Sequence, residues 1–443
     1  MARLNAQQLP RGFRYAAIAC GLKKNGGLDL ALIVSDKPAT AAAVFTTNRV
    51  QAAPVQLSRE HVRRAAGRMR AIVVNSGNAN CSTGAVGMVA SRKTARALAR
   101  QLGCAPEQSI VCSTGVIGVP LRVEKIVAAL PGLRANLAAT PQAFASVTRA
   151  IMTTDTQPKW AAARCRIGGR TVRLLGCAKG AGMIHPQMAT MLAFIVTDAA
   201  IAPALLRRAL REVADRTFNC ITVDGDTSTN DTLAVLANGA SGARVGAGSS
   251  RPSWLKRGGR PKAAPADYGR FVAALESVCQ RLALAIVADG EGAQRVVEIT
   301  VRGAASAQAA DAIARTIANS PLVKTALAGA DPNWGRILAA AGRAPLAARD
   351  RFDPERVEIR VAGIKMYSRG RALPFDEGLA HRKMLASYVP IIVDLNQQQR
   401  KWKHENRTSA RRIRHSSLAT HHCTIWTCDF TQDYVTINAS YRT

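Results

Sequence analysis

The chain has few acidic residues, few aromatic residues and no long apolar run. Only 29 of its 443 residues are Asp or Glu, against 61 Lys or Arg, so the formal net charge is +32. This charge favours an anionic ligand, either a nucleic acid or a small anionic substrate. Aromatic residues make up only 5% of the chain and are not interleaved with the basic residues, so nucleic acid is not an expected partner. No apolar run reaches the roughly 18 residues that span a bilayer, so we expect no membrane segment.

Cysteine and histidine are present, but not in the patterns that metal sites or disulfide frameworks need. None of the ten cysteines forms a CxxC pair, most lie in apolar surroundings, and the seven histidines are scattered. Zinc sites and disulfide frameworks use closely spaced or paired ligands. The pattern is typical of reduced, buried thiols in a cytosolic protein, so we predict a cytoplasmic location and no bound metal.

The first 28 residues contain Arg and Lys but no acidic residue, a composition shared with transit peptides. Residues 15–21 nevertheless have the pattern of a β-strand, and residues 29–34 have that of its hairpin partner. We therefore expect the start of the chain to be folded.

The rest of the chain alternates strand patterns with helical ones, which predicts an α/β fold. Four predicted strands end in glycine-rich polar turns, at residues 75–80, 114–118, 179–190 and 289–292. Turns at strand ends are common places for functional sites, although Asn and Gly are also ordinary turn residues. We also predict exposed loops at 244–266 and 397–424, and a last strand that runs from Trp426 to the C-terminus.

The turn at 179–190 leads into an apolar run through one hydroxyl residue, Thr190. Gly180 and Gly182 allow a tight turn, and Pro186 then restricts the backbone. Thr190 has two interpretations: a β-branched residue that suits a strand, or a nucleophile presented at a strand end. If the bond between Ala189 and Thr190 breaks, Thr190 becomes an N-terminal nucleophile. Local spacing leaves both interpretations open.

The chain lacks the usual partners of a catalytic serine or cysteine. There is no GxSxG nucleophile elbow, no phosphate-binding P-loop and no histidine visibly placed to act as a base. A free α-amine, with an unperturbed pKa of about 8, can serve as that base. The turn after Cys112 also places the Thr114 hydroxyl beside backbone N–H groups, which suits either an oxyanion hole or an ordinary turn.

Several segments together resemble the glutamate N-acetyltransferase/ornithine acetyltransferase family of arginine biosynthesis. The resemblance runs nearly from end to end and includes the specific motif Met-Ala-Thr-Met-Leu at residues 188–192. The matching segments are residues 29–33, 45–48, 75–80, 113–118, 179–192, 224–231, 289–293, 331–336 and 433–443. The resemblance implies a layered αββα-like sandwich of the self-processing ornithine acetyltransferase/aminopeptidase type.

The resemblance also implies that the chain cleaves itself between Ala189 and Thr190. The products would be an α chain of residues 1–189 and a β chain of residues 190–443, associated as a heterotetramer of two α and two β chains. Thr190 would be the nucleophile of a ping-pong reaction that transfers acetyl from N2-acetyl-L-ornithine to L-glutamate. Such a reaction needs no metal and no bound cofactor, and acetyl-CoA is a candidate second donor.

Individual residues match functional positions of the family. Thr114 and Gly115 match its oxyanion hole, and Glu291 suits the ammonium group of a substrate. The matching substrate-binding positions are Thr153, Lys179, Thr190, Glu291, Asn438 and Thr443. Two other hypotheses remain open: a self-cleaving aminopeptidase or amidase of the related fold, and a basic RNA-binding protein on the same scaffold.

Overall fold

The computed structural model describes residues 4–185, 191–246, 266–397 and 421–439. Their packing divides the chain into two compact units. The first contains the described residues up to Asn219 and those from Asp226 to Ile286, and the second contains Cys220–Gly225 and the described residues from Val287 onward. The units do not follow the predicted chains 1–189 and 190–443, because the first unit includes residues on both sides of that boundary.

The first unit alternates strands and helices along the chain. Its strands are β1 (Phe13–Ile18), β2 (Leu30–Phe45), β3 (Arg68–Asn78), β4 (Ser109–Val116), β5 (Lys159–Ile167), β6 (Arg170–Lys179), β7 (Leu192–Thr197), β8 (Ala200–Ile201), β9 (Thr232–Ala237) and β10 (Arg244–Val245). Its helices are α1 (Ala53–Arg64), α2 (Gly84–Leu102), α3 (Val123–Ala135), α4 (Pro141–Ala150), α5 (Pro203–Arg216) and α6 (Ala266–Ala288). The predicted hairpin at the start of the chain is confirmed, because β1 and β2 pair as antiparallel strands.

One sheet organises the first unit, with the strand order β4-β3-β2-β9-β7-β6-β5 and with β1 beside β2. The 16-residue strand β2 belongs to both halves of this sheet. Its residues 30–34 pair with β1 and β3, whereas its residues 40–45 pair with β9. The pairing of β2 with β3 shifts register between Val34 and Ala39. Residues of both halves, among them Ile33 of β2 and Phe194 of β7, belong to one buried core that lies between the halves.

Strand β3 shows how the sheet uses both of its faces. Ile72 and Val74 lie in the core between the sheet halves, together with Phe194 of β7. Ala71 and Val73 face the other way and pack with helices α1, α2 and α3. Successive residues of a strand face opposite sides, so a strand that is buried on both sides has a continuous apolar run.

Helix α6 covers the outer face of the other sheet half. Gly176 of β6 lies so close to this helix that an added Cβ would be 3.0 Å from a side-chain carbon of Val278. The neighbouring Leu175 and Cys177 face the central core. The order helix, sheet, sheet, helix confirms the predicted α/β fold with αββα layering.

Within the described ranges, α6 is also a helix long and apolar enough, by length and composition alone, to cross a membrane. Of its most apolar window, 56% is buried inside the protein, as in the core helix of a globular domain. Sequence interpretation did not single out this helix as a membrane span, because Arg270, Glu276 and Arg281 interrupt its apolar run.

A second sheet organises the second unit, in the order β14-β13-β12-β15-β11-β16. These strands are β11 (Val296–Ala304), β12 (Glu358–Val361), β13 (Ile364–Ser368), β14 (Arg371–Ala372), β15 (Tyr388–Asp394) and β16 (His421–Cys428). The helices are α7 (Ala307–Ala318), α8 (Pro321–Ala328), α9 (Trp334–Gly342), α10 (Glu377–Met384) and α11 (Gln432–Ala439). The core joins Ile299 of β11 to Ile313 of α7, Ile337 of α9 and Met384 of α10.

The strand predicted before the turn at 289–292 is wrong. Helix α6 continues to Ala288, so the turn follows a helix. Leu282, Ile286 and Val287 are all buried. A short apolar run buried in this way has the same local pattern in a helix and in a strand, and only its length and surroundings distinguish the two.

The last strand predicted from Trp426 to the C-terminus is also wrong in its second half. Strand β16 ends at Cys428, and helix α11 occupies residues 432–439. Val435 and Ile437 are exposed β-branched residues, and their alternation favoured a strand. The loop predicted at 397–424 is likewise corrected at its end, because β16 begins at His421. The loop predicted at 244–266 includes β10, and residues 247–265 lie outside the described residues.

Candidate active site

Two of the predicted glycine turns come together in the first unit. Strands β3 and β4 are parallel neighbours, and their register places Ser76 beside Thr114 and Gly77 beside Gly115. Parallel strands end at the same edge of a sheet, so the polar residues that follow the apolar parts of both strands meet there. The sequence predicts these strands at 71–74 and 109–112. Both strands extend further in the structure, which brings the turn residues themselves into the sheet.

Gly115 allows this close approach. Its φ of +133° is a backbone conformation that residues with a side chain rarely adopt, and an added Cβ would lie 2.4 Å from the carbonyl carbon of Gly77. No side chain fits in that space. The backbone around Thr114 and Gly115 is therefore held tightly against the neighbouring strand.

Lys179 lies beside Thr114. It is the last residue of β6 and is buried, and its Nζ donates a hydrogen bond to Thr114 Oγ1 at 3.3 Å. The structure thus brings together two residues that are 65 positions apart in the sequence. Leu192, the first residue of β7, pairs with Lys179 across the sheet.

The carboxylate of Asp155 connects Thr153 to Gly180, the residue after Lys179. Asp155 Oδ2 accepts a hydrogen bond from the Thr153 N–H at 3.0 Å. Asp155 Oδ1 accepts from Lys159 Nζ at 2.6 Å and from the Gly180 N–H at 2.7 Å. Burial by itself would raise the pKa of Asp155, but the charges of Lys179 and Lys159 and the Gly180 N–H lower it to about 2.

Sequence interpretation did not single out Asp155, Lys159 or Lys23, although all three belong to this cluster of charges. The loop at residues 20–23 is held by Asp29, whose carboxylate accepts the N–H groups of Cys20, Leu22 and Lys23 at 2.6, 2.6 and 3.0 Å. Burial lowers the pKa of Lys23, although the Asp29 and Asp155 charges oppose this effect. The polar run at 152–156 was a signal for Asp155, whereas Lys159 begins an ordinary strand and carried none.

Asn230 supports the meeting point of β3 and β4. Its Nδ2 donates to the carbonyl oxygens of Ala79 at 2.7 Å and Ser113 at 2.9 Å. Ser113 Oγ in turn donates to Asn75 Oδ1 at 2.6 Å. Asn230, in the segment 224–231 that matches the family, therefore joins the residue after β3 to a residue of β4.

Two other predicted site residues meet in the second unit. Glu291 is buried in the turn after α6, and its Oε2 accepts a hydrogen bond from Asn438 Nδ2 at 2.8 Å. Helix α11 packs closely on this turn, because an added Cβ on Gly292 would lie 2.5 Å from the Tyr434 nitrogen. Thr431 Oγ1 donates to the Gly292 carbonyl at 2.7 Å.

Three predicted site residues, Ala189, Thr190 and Thr443, lie outside the described residues. The chain on the C-terminal side of Thr190 is nevertheless placed by its neighbours. The Thr232 N–H donates to the Met191 carbonyl at 3.1 Å, and β7 then begins at Leu192, opposite Lys179.

Two cysteines lie in the strands that carry the site, and both are poor candidates for a nucleophile. Cys112 precedes the Thr114 turn in β4, and Cys177 precedes Lys179 in β6. Burial raises the pKa of each thiol to about 12, so the reactive thiolate is scarce at neutral pH. No group of three metal-ligating side chains occurs in the part of the chain that the structure describes.

Similar proteins cover nearly the whole chain. An "Arginine biosynthesis bifunctional protein ArgJ" from Symbiobacterium thermophilum is 45% identical over 438 residues, which are 98% of each protein. A protein of the same name from Thermosynechococcus vestitus is 46% identical over 440 residues, 98% of this chain and 97% of the relative. A solved ornithine acetyltransferase from Mycobacterium tuberculosis, complexed with ornithine, is 34% identical with a TM-score of 0.36, and the match covers 42% of this chain and 97% of that one. The model of the ArgJ family matches residues 14–443, and the chain belongs to this family.

Proposed function

We propose that the protein transfers an acetyl group from N2-acetyl-L-ornithine to L-glutamate through an acetyl-Thr190 enzyme, giving L-ornithine and N-acetyl-L-glutamate. Membership of the ArgJ family confirms the predicted acetyltransferase of arginine biosynthesis. The observation that supports the site is the contact of the Lys179 ammonium with the Thr114 hydroxyl, opposite the strand that begins two residues after Thr190.

Thr190 acts first on its own chain. Its hydroxyl attacks the carbonyl carbon of Ala189, the Thr190 nitrogen becomes the leaving group, and water then hydrolyses the resulting ester. The products are the α chain of residues 1–189 and the β chain of residues 190–443, with a free α-amine on Thr190. Two α and two β chains form a heterotetramer in the cytoplasm.

The free amine is then the general base of the transfer reaction. It takes the proton from the Thr190 hydroxyl, which attacks the acetyl carbon of N2-acetyl-L-ornithine. Negative charge develops on the acetyl oxygen, and the Thr114 and Gly115 groups stabilise it as the oxyanion hole. Ornithine leaves with a proton, and the amine of glutamate attacks acetyl-Thr190 to release N-acetyl-L-glutamate.

The remaining site residues bind the substrates. Glu291 carries the charge that suits the side-chain ammonium group of ornithine. Lys179 suits a substrate carboxylate, and Thr153, Asn438 and Thr443 offer hydrogen-bonding groups. The acetyl group stays activated on Thr190, so no metal and no bound cofactor take part. Acetyl-CoA is a second acetyl donor in this proposal, and neither nucleic acid nor a membrane is a partner.

The proposal is tested on the purified protein with Thr190→Ala as the matched variant. We expect the natural protein to give two bands on a denaturing gel, with a new N-terminus at Thr190, and to transfer acetyl from N2-acetyl-L-ornithine to glutamate. Thr190→Ala should abolish both, because one hydroxyl serves both steps. Cleavage or transfer that persists in this variant refutes the assignment. Acetyl release to water alone favours the amidase hypothesis, and salt-sensitive RNA binding without transfer favours the RNA-binding hypothesis.

A further inference from the structure

The carboxylate of Asp155 is the point at which several parts of the first unit meet. The side chain is fully buried, and its partner Lys159 is almost fully buried. One oxygen accepts from Lys159 Nζ and the Gly180 N–H, and the other accepts from the Thr153 N–H. The same carboxylate is therefore bound to Gly180, the residue after Lys179, and to Thr153. Lys179 and Thr153 are both predicted substrate-binding positions.

Folding stability alone is a weak reason for a protein to bury an ion pair such as Asp155–Lys159. Removing a carboxylate and an ammonium from water costs several kcal/mol for each ion, and a buried ion pair is often no more stabilising than apolar residues of the same size. The arrangement does, however, fix backbone geometry. Gly180 has a φ of +153°, at the edge of the region open to glycine, and its N–H points at Asp155. The corner after Lys179 is held in this conformation by a charge-assisted hydrogen bond.

We propose that Asp155 is a positioning residue for cleavage and acetyl transfer: it fixes the Lys179–Gly180 corner and the Thr153 turn so that the Lys179 ammonium stays on Thr114. The proposal rests on the function proposed above. Asp155 does not touch the reacting atoms; it acts through Lys179 and through the segment that begins at Gly180 and leads to the cleaved bond.

The chain contains a matched control, Asp198, which binds Arg173 of β6, the strand that ends at Lys179. Asp198 is also fully buried, and it accepts the Arg173 N–H at 2.8 Å, the Arg11 N–H at 3.3 Å and Arg173 Nη1 at 3.5 Å. It thus binds two backbone N–H groups and a cation, as Asp155 does. Arg173 and Lys179 are six residues apart in β6, which corresponds to about 20 Å along a strand.

The test compares Asp155→Asn with Asp198→Asn in the full-length protein. An asparagine amide has only one acceptor oxygen, so its NH2 group must face one of the donors that the carboxylate accepted. We expect both variants to lower the melting temperature. Asp155→Asn alone should slow self-cleavage, lower kcat for acetyl transfer by about 100-fold and raise KM, because misplaced groups lose contacts to the transition state and to the substrate. Asp198→Asn should leave both rates within about threefold of the natural protein, since a change this far from the site does not displace the site residues.

A second variant separates position from charge imbalance. Asp155→Asn combined with Lys159→Met removes the buried cation that the single variant leaves without its partner, so it should recover part of the melting temperature but not the rates. Rates that return with stability in the double variant overturn the proposal, as do equal rate losses in Asp155→Asn and Asp198→Asn. Absence of cleavage and transfer in the natural protein itself would instead overturn the proposed function, on which this inference rests.

Discussion

Thr114, Gly115 and Lys179 are held by strands of the first unit, whereas Glu291 and Asn438 are held in the second unit by a turn and a short helix. In the first unit, the register of β3 and β4, the Gly77–Gly115 approach and a buried ion pair fix the backbone. In the second, the hydrogen bond between Glu291 and Asn438 joins the turn to the exposed helix α11. Strands buried on both faces open less readily than a terminal helix with an exposed surface.

This difference suggests a division of labour. Groups that stabilise developing charge must already be in place when the reaction occurs, which suits a rigid sheet. Groups that recognise a substrate tolerate more movement. We call Thr114, Gly115, Lys179 and the Asp155–Lys159 pair the first cluster, and Glu291 with Asn438 the second cluster. We therefore expect changes in the first cluster to impair both cleavage and transfer, and changes in the second cluster to impair transfer alone.

The largest effect is expected from Gly115→Ala. The new Cβ has no room against Gly77, so the end of β4 must move and the proposed oxyanion hole with it. Acetyl transfer should fall by about 10²- to 10³-fold, and self-cleavage should slow as well. Steady-state rates and gel analysis of cleavage measure both effects. Gly103→Ala is the control, because Gly103 also has a positive φ but no atom within 4 Å of its added Cβ. Normal cleavage in Gly115→Ala would contradict the proposed role of the first cluster.

Glu291→Gln should have the next largest effect, and only on transfer. The substitution removes the charge that suits the substrate ammonium, so kcat/KM for N2-acetyl-L-ornithine should fall by about 100-fold. No ammonium substrate takes part in maturation, so the protein should still appear as two bands on a denaturing gel. A loss of cleavage as large as the loss of transfer would break the comparison between the clusters.

Asn438→Ala should have a smaller effect of the same kind. Its Nδ2 donates to Glu291, and the loss of one hydrogen bond to a charged group corresponds to about a tenfold rise in KM. Substrate-saturation curves provide the measurement, and Thr436→Ala, in the same turn of α11, is the control. Thr436 Oγ1 bonds only its own helix, at the Gln432 carbonyl, among the contacts of the described residues. Equal KM values for the two variants would contradict a role for Asn438 in substrate binding.

The smallest expected effect is a loss of folding stability at acid pH. The pKa of Asp155 is lowered from 3.8 to about 2, so its ionised form stabilises the folded state above pH 4. This stabilisation, about 2 kcal/mol, should be lost as the pH falls from about 4 to about 2. Denaturant unfolding at several pH values should show that the natural protein loses its advantage over Asp155→Asn across this range. A constant difference in unfolding free energy would contradict the lowered pKa.

Much of the fold could be predicted from the sequence because its strands and helices have strong periodic patterns. The apolar run predicts a strand at 71–74, within β3, and helical spacing predicts helices at 86–102 and 203–217, close to the observed α2 and α5. The end of α6 and the whole of α11 were predicted as strand. Burial of Ile286 and the docking of α11 on Gly292 decide those conformations, and neither is visible in a local pattern.

The candidate site was predictable to a similar extent. The sequence indicated the polar turns at 75–80 and 114–118 and, through the family resemblance, named Lys179 and Glu291. For Asp155 it offered only the polar run at 152–156, and for Lys159 it offered no signal. A buried carboxylate is recognisable only when the donors around it are known, and the Gly180 N–H is 25 residues away in the chain.

The sequence by itself determined the family, the apolar strands and the chemical types of the predicted site residues, because composition, period and motif are properties of neighbouring residues. Only the tertiary structure decided that Lys179 lies on Thr114, that Asp155 binds both Thr153 and Gly180, and that Asn438 lies on a helix beside Glu291. These contacts join residues up to 147 positions apart. They depend on strand register and on the packing of buried faces, which are set when the whole chain folds.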